Sequence, residues 1–173
     1  MIRAVFLDCG DTLVDEGTEV KTEAGVSLRA DLIPGADELL HALKARGYPL
    51  ALVADGPAAT FPNNLEPYGL YGLFDAYAIS EEVGCEKPDA AMFLTALSAL
   101  DIPDSQAGRV VMVGNNLERD IAGANALGLI SVWLDWAPRR SKTPADALEV
   151  PDYTIKAPLD LLGVLDRLEN GAL

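Results

Sequence analysis

The stretch AVFLDCGDTLV, residues 4–14, runs an apolar segment straight into two carboxylates, a glycine and a threonine. Such a run suits a strand buried on both faces, and the carboxyl end of such a strand is where an open α/β sheet collects ligands. Asp, Gly and Thr are also ordinary turn residues. The remainder of the chain decides between these two readings.

Further short runs rich in Val, Ile and Leu occur at residues 49–54, 76–79, 109–113 and 129–134, with a weaker one at 153–155. Helical patterns lie between them. GADELLHALKARG places Leu39, Leu40 and Leu43 on one face, with acids early, Lys44 and Arg46 late, and Gly47 as the stop. KPDAAMFLTALSALDIP opens with Pro88 and Asp89 and aligns Met92, Phe93, Ala96, Leu97 and Leu100. NLERDIAGANALG ends in Gly128, and APLDLLGVLDRLENG forms a last amphipathic helix. Strand alternating with helix predicts a doubly wound, Rossmann-like α/β fold: a mostly parallel sheet with helices on both faces.

Two segments break the rhythm. Residues 14–33 alternate at Val26, Leu28, Ala30 and Leu32 with Gly25 available for a turn, which predicts a β-hairpin flap. Residues 135–152, rich in Pro and polar side chains, predict a surface loop whose Arg139, Arg140 and Lys142 form the most basic patch and are read as solvated.

The chain's 173 residues suit one domain, read as residues 1–173. Twenty-seven acids against thirteen Lys and Arg give a net charge of −14, a field that opposes nucleic acid and an anionic membrane face. A phosphate ligand then needs local cations. The N-terminal apolar run is too short for a signal peptide core, and no stretch approaches the roughly 18 apolar residues of a membrane span. The two cysteines, Cys9 and Cys85, have neither metal-ligand spacing nor disulfide density, which suits a cytoplasmic setting. Cys9 is read as a buried space-filler. The only histidine, His41, lies mid-helix with no plausible partner and supports no triad.

On these strand assignments, four loops converge on one rim. Asp8 and Asp11 follow the first strand, Asp55 and Gly56 the second, Lys87 lies beyond the third, and Asn115, Asn116 and Asp120 follow the fourth. The turn after the first strand has no G-x-G-x-x-G, and its acids would repel a pyrophosphate.

The segments FLDCGDTLV, LALVADG, GCEKPD and VVMVGNNLERDIAGANALGLISVW resemble, in order and spacing, the four motifs of the haloacid dehalogenase superfamily, from about residue 2 to about residue 135. Most of that superfamily's members are Mg²⁺-dependent phosphatases. The resemblance implies that Asp8 is the nucleophile, forming an aspartyl-phosphate while its other oxygen holds Mg²⁺. It implies that the Gly10 backbone carbonyl, Asn115 and Asp120 complete the metal site, that Thr12 steadies the first loop, and that Lys87 neutralises the nucleophile and the phosphoryl oxygens. A hard cation held by few protein oxygens and several waters is normal for Mg²⁺.

The chain departs from the family pattern at three places. Gly10 stands where the phosphatases carry a second Asp as general acid and base, a function worth about 10²–10⁴ in rate. Ala54 and Asp55 stand where a Ser or Thr hydroxyl meets the phosphate, which leaves backbone N–H groups near Gly56 as the phosphate donors. Asn115 replaces a metal-binding Asp, although Asp8 and Asp120 still balance a divalent ion. Asp11 and Asp55 are the candidates for the absent acid. Asp11 is expected to point away unless a turn re-aims it.

Residues 14–33 are too short for the large cap of the haloacid dehalogenases and match the minimal flap of capless members, which take large substrates or borrow a neighbouring subunit as lid. The resulting expectation is a capless Mg²⁺-dependent hydrolase acting on a phosphorylated substrate, with either a bulky substrate or a homo-oligomer closing the site. A binding or regulatory protein that has lost turnover is the alternative, and a 2-haloacid dehalogenase, which needs no proton for its leaving halide, is the third reading.

Overall fold

The computed structural model describes residues 1–171. In chain order it forms β1 (Ala4–Leu7), a hairpin of β2 (Val20–Lys21) and β3 (Ser27–Arg29), α1 (Ala36–Ala45), β4 (Leu50–Ala54), α2 (Thr60–Leu65), β5 (Ala76–Ile79), α3 (Ser80–Val83) and α4 (Ala90–Ala99). There follow β6 (Val110–Gly114), α5 (Ala122–Leu127), β7 (Ile130–Leu134), β8 (Tyr153–Ile155) and α6 (Asp160–Glu169). All six strands of the main sheet pair in parallel, in the order β5-β4-β1-β6-β7-β8. The chain runs outward from β1 in one direction, then returns to its other side through β6, so the topological switch point lies at the carboxyl end of β1.

The continuous apolar strands follow from two cores, one on each face. Val5 and Leu7 of β1 face a cluster with Leu39, Leu40 and Leu43 of α1 and Leu161, Val164 and Leu165 of α6. Ala4 and Phe6 face the opposite cluster, with Met92, Phe93, Ala96 and Leu97 of α4 and Ala124 of α5. Alternating side chains of one strand thus bury on both sides. The sheet strands match the sequence reading to within a residue, the longer helices lie inside the segments read as helical, and Gly47 and Gly128 end their helical segments in the left-handed conformation.

Two short helices, α2 and α3, were not expected. Helix α2 has six residues and carries Pro62 in its first turn, so it offers no periodic stripe to read. The hairpin exists, with Gly25 at positive φ, but its facing differs from expectation. Leu28 is 53% exposed while Ser27 is fully buried. Hydrogen bonds to α2 set this register. The Ser27 N–H donates to Thr60 Oγ1 at 3.1 Å, Ser27 Oγ donates to Asn64 Oδ1 at 2.8 Å, and Asn63 Nδ2 donates to the Ser27 carbonyl at 2.9 Å. His41 also has a partner, Asp37 one turn earlier at 3.1 Å, in an exposed pair. Among the described residues, no helix is long and apolar enough to cross a membrane.

Candidate active site

Side chains from four loops meet over the carboxyl end of β1. Asp8 follows β1 directly, and its Oδ1 accepts from Lys87 Nζ at 2.7 Å. The same ammonium donates to Asp120 Oδ1 at 2.7 Å and to the Val53 carbonyl at 2.8 Å, so each of its three protons has an acceptor. Lys87 is only 3% exposed. Burial alone would lower its pKa, but the carboxylates of Asp120 and Asp8 outweigh that and hold it well above its ordinary value. Burial pushes the Asp120 carboxyl up to about 7, against the opposing pull of Lys87.

Asp120 reaches the rim through a distorted turn. Residues Leu117–Ile121 form a π-helical turn ahead of α5, capped by Asn116, whose Oδ1 accepts from the Glu118 and Arg119 N–H groups at 3.0 and 3.3 Å. Such bulges often mark functional sites. Asp120 Oδ2 then accepts from the Asn116 N–H at 3.0 Å. The carboxylate lies so close to Gly114 that a β-carbon there would collide with it. Asn115 lines the same cleft. Its carbonyl accepts from Trp133 Nε1 at 3.0 Å, whereas its buried side-chain Nδ2 has no hydrogen-bond partner among the described residues.

Thr12 is buried behind Asp8, and its hydroxyl donates to Asp8 Oδ2 at 3.3 Å. Cys9 is buried beside it as a free thiol, its pKa raised by burial and then by the Asp8 carboxylate. Asp55 lines the cleft, but it neither stands free nor leaves an uncompensated negative charge. Its Oδ1 accepts from the Lys87 N–H at 2.9 Å and its Oδ2 from Arg119 Nη1 at 3.1 Å.

Three expectations are corrected. Asp11, named as a candidate for the absent acid, does not join the cleft. It adopts a left-handed backbone with φ of 51°, its side chain is fully buried, and both oxygens engage Arg139, Oδ2 accepting from Nε at 2.9 Å. Gly56 cannot offer its N–H to a phosphate, because that group donates to Ser80 Oγ at 2.8 Å. Nor is the basic loop simply solvated. Arg139 clamps Asp11 and Asp15, and Arg140 lines the cleft with Nη2 3.3 Å from Glu16 Oε2.

Glu16 is the residue that sequence reasoning missed, together with Arg119 and Arg140. Gly10 lines the cleft as expected, but a β-carbon on it would lie 2.9 Å from both Cγ and Cδ of Glu16 and still closer to Oε1. The Glu16 carboxylate thus fills the space that a side chain at position 10 would use. Burial raises its pKa, Asp11 adds to the effect, and Arg140 opposes it. The bare glycine was the only available signal, and it does not say which side chain moves in.

The rim therefore gathers four carboxylates (Asp8, Glu16, Asp55 and Asp120) and three cations (Lys87, Arg119 and Arg140) around a cavity of about 90 Å³. Among the described residues, no group of three or more His, Cys, Asp and Glu side chains is arranged as a metal cage. The hard oxygen donors present are the Asp8 and Asp120 carboxylates and the Asn115 side-chain carbonyl. That set suits a cation that keeps most of its water.

Residues 18–128 match the family model of the haloacid dehalogenase-like hydrolases. The ribulose-1,5-bisphosphate 5-phosphatase of Halopiger xanaduensis is 36% identical over 137 residues, covering 79% of this chain and 56% of the relative. The phosphoserine phosphatase of Thermus thermophilus is 35% identical over 127 residues, covering 73% and 48%. The chain spans about half the length of these curated relatives. The crystal structure of an HAD phosphatase from Thermococcus onnurineus superposes with a TM-score of 0.77 at 20% identity, covering 95% of this chain and 98% of that one, a likeness of fold.

Proposed function

This chain belongs to the haloacid dehalogenase-like hydrolases, and from that premise we propose that it is a Mg²⁺-dependent phosphomonoester hydrolase acting through a phosphoryl-aspartate on Asp8. One observation carries the reading: Lys87 Nζ bridges Asp8 Oδ1 and Asp120 Oδ1, 2.7 Å from each, at the floor of the cleft. The buried ammonium sets a positive charge directly against the carboxylate that would attack. It also stands where charge on transferring phosphoryl oxygens needs neutralising.

Asp8, Asp120 and Asn115 would hold the Mg²⁺. Bound there, it would supply Lewis-acid neutralisation of the phosphoryl oxygens. Thr12 steadies Asp8 through its hydroxyl. Arg119 and Arg140 supply the local cations that a phosphate needs against a net charge of −14. We place the phosphoryl group and its attacking water in the cavity of about 90 Å³ between these groups. The remainder of the substrate then lies outside, under or beyond the hairpin.

We read residues 1–173 as one domain, residues 14–33 as a flap rather than a cap, and the substrate as a phosphorylated compound whose bulk stays external. Names of relatives such as phosphoserine phosphatase and ribulose-1,5-bisphosphate 5-phosphatase support the reaction class.

The test is release of p-nitrophenol from p-nitrophenyl phosphate with Mg²⁺, beside Asp8→Asn and metal-free controls. An aryl leaving group scarcely needs a proton, so the assay isolates the nucleophile and the metal. Turnover abolished by Asp8→Asn is expected. A rate equal in the wild type and Asp8→Asn overturns the proposal and returns the chain to the reading of a binding protein.

A further inference from the structure

We propose that Glu16 delivers the proton to the leaving oxygen and then takes one from the attacking water, so that this chain hydrolyses phosphate esters of poor, alkyl-like leaving groups. The inference rests on the phosphomonoester reading above and extends it.

Elimination among the cleft carboxylates supports it. Asp8 is the attacking group. Asp120 has Oδ1 on Lys87 and Oδ2 on the Asn116 N–H, and Asp55 is held by the Lys87 N–H and Arg119. Among the described residues the Glu16 carboxylate has one hydrogen-bond partner, Arg140 at 3.3 Å on Oε2. Its other oxygen crowds the position of an absent β-carbon on Gly10, two residues after Asp8 on the same turn. Glu16 and Asp8 line the same cavity, and among the described residues Glu16 Oε1 has no hydrogen-bond partner to give up before it moves a proton.

The backbone around Glu16 is held to this placement. Its N–H donates to Asp11 Oδ1 at 3.1 Å, and Asp15 accepts from the Gly17 N–H at 2.8 Å. Arg139 joins Asp11 to Asp15 on either side of that link. Asp11 and Arg139 thus act as positioning residues for Glu16.

In the first step an Asp8 oxygen forms a bond to phosphorus while the ester P–O bond breaks. The electron pair goes to the leaving oxygen, which receives the Glu16 proton and departs as the alcohol. In the second step water attacks phosphorus and gives a proton to Glu16. The bond between phosphorus and Asp8 breaks with its pair returning to the carboxylate, and inorganic phosphate leaves. Each cycle restores both carboxyl groups to their starting states.

The experiment compares first-turnover alcohol release from p-nitrophenyl phosphate and from phenyl phosphate, the poorer leaving group, with Mg²⁺ present. Glu16→Gln is expected to slow phenyl phosphate by about 10²–10⁴ and p-nitrophenyl phosphate far less. Intact-mass measurement is expected to show the Glu16→Gln protein accumulating one phosphoryl group. The double variant Gly10→Asp with Glu16→Ala, in which the new side chain enters the vacated space, should hydrolyse phenyl phosphate faster than Glu16→Ala alone. Thermal unfolding checks that each variant is folded. Equal losses on the two esters, or a folded double variant no faster than Glu16→Ala, overturn the inference while leaving the phosphatase reading intact. A wild type no faster than Asp8→Asn on either ester overturns both.

Discussion

Lys87 Nζ stands 2.7 Å from Asp8 Oδ1, a contact between buried groups 79 residues apart in the chain. The pair also ties in Asp120, so one ammonium sits between two carboxylates. Removing that cation leaves two buried negative groups facing each other without compensation. Breaking a buried pair from one side typically costs about 3–5 kcal/mol. Lys87→Met is therefore expected to lower the unfolding free energy by that order in urea titration. Adding Asp8→Asn should recover part of the loss, because the double variant removes the repulsion that the single one creates.

Gly114 lets Asp120 lie against the end of β6. A β-carbon at Gly114 would lie within 2.5 Å of three Asp120 side-chain atoms, none of them at the end of a long flexible chain. Gly114→Ala is expected to cost about 1–3 kcal/mol as overpacking, and to displace the carboxylate from Lys87, with phosphate release falling too. Gly108→Ala is the control. Its new β-carbon would meet the Gly128 carbonyl at 3.5 Å, an ordinary contact. Its urea midpoint should stay close to that of the wild type.

How far the sequence discloses this molecule depends on what fixes each part. The sheet strands are legible because burial on both faces demands an unbroken apolar run, as at Leu50–Ala54 and Val110–Gly114. Asp8, Lys87 and Asp120 are legible because the segments that carry them resemble a family's ordered motifs, each following a readable strand. Glu16 is not, because its arrival depends on the left-handed turn at Asp11, and a single positive φ in a non-glycine residue leaves no periodic trace. Ser27 escapes for a related reason. Hydrogen bonds to Thr60 and Asn64 set its facing, and pairings more than thirty residues apart have no local pattern. Arg139 and Arg140 read as loop charges until the carboxylates they meet are placed in space.

Asp75 provides an acid-dependent tie between α1 and the sheet. Its carboxylate accepts from Lys44 Nζ at 2.7 and 2.9 Å and from the Leu50 N–H at 2.9 Å. Burial raises its pKa, but those hydrogen bonds and the Lys44 charge win, and the net shift is below the ordinary value. A carboxyl depressed in the folded state adds stability above its unfolded pKa of about 3.9 and loses it as pH falls through the folded value. Asp75→Asn should therefore lower the urea midpoint near neutral pH. The gap between variant and wild type should narrow on acidification below that unfolded pKa. A gap that stays constant with pH would assign the role of Asp75 to packing rather than charge.

Arg139 separates positioning from chemistry. Its guanidinium meets both oxygens of the fully buried Asp11 and one of Asp15, a forked geometry that Lys cannot reproduce. Arg139→Ala leaves Asp11 buried and unpaired except for the Glu16 and Val14 turn contacts, which should destabilise the protein. Because Arg139 itself is more than one third exposed, water can enter and the expected loss is about 1–3 kcal/mol rather than the full buried-pair figure. The kinetic consequence is more specific. With the clamp gone, the backbone that aims Glu16 loosens, so hydrolysis of phenyl phosphate should fall more than that of p-nitrophenyl phosphate. Arg139→Lys should recover stability better than it recovers that ratio, since a point charge compensates Asp11 without reproducing the fork. Urea titration and the two-ester rate ratio, measured on both variants, read the two effects separately. A stability loss with an unchanged ratio would mean that Glu16 keeps its place without the clamp.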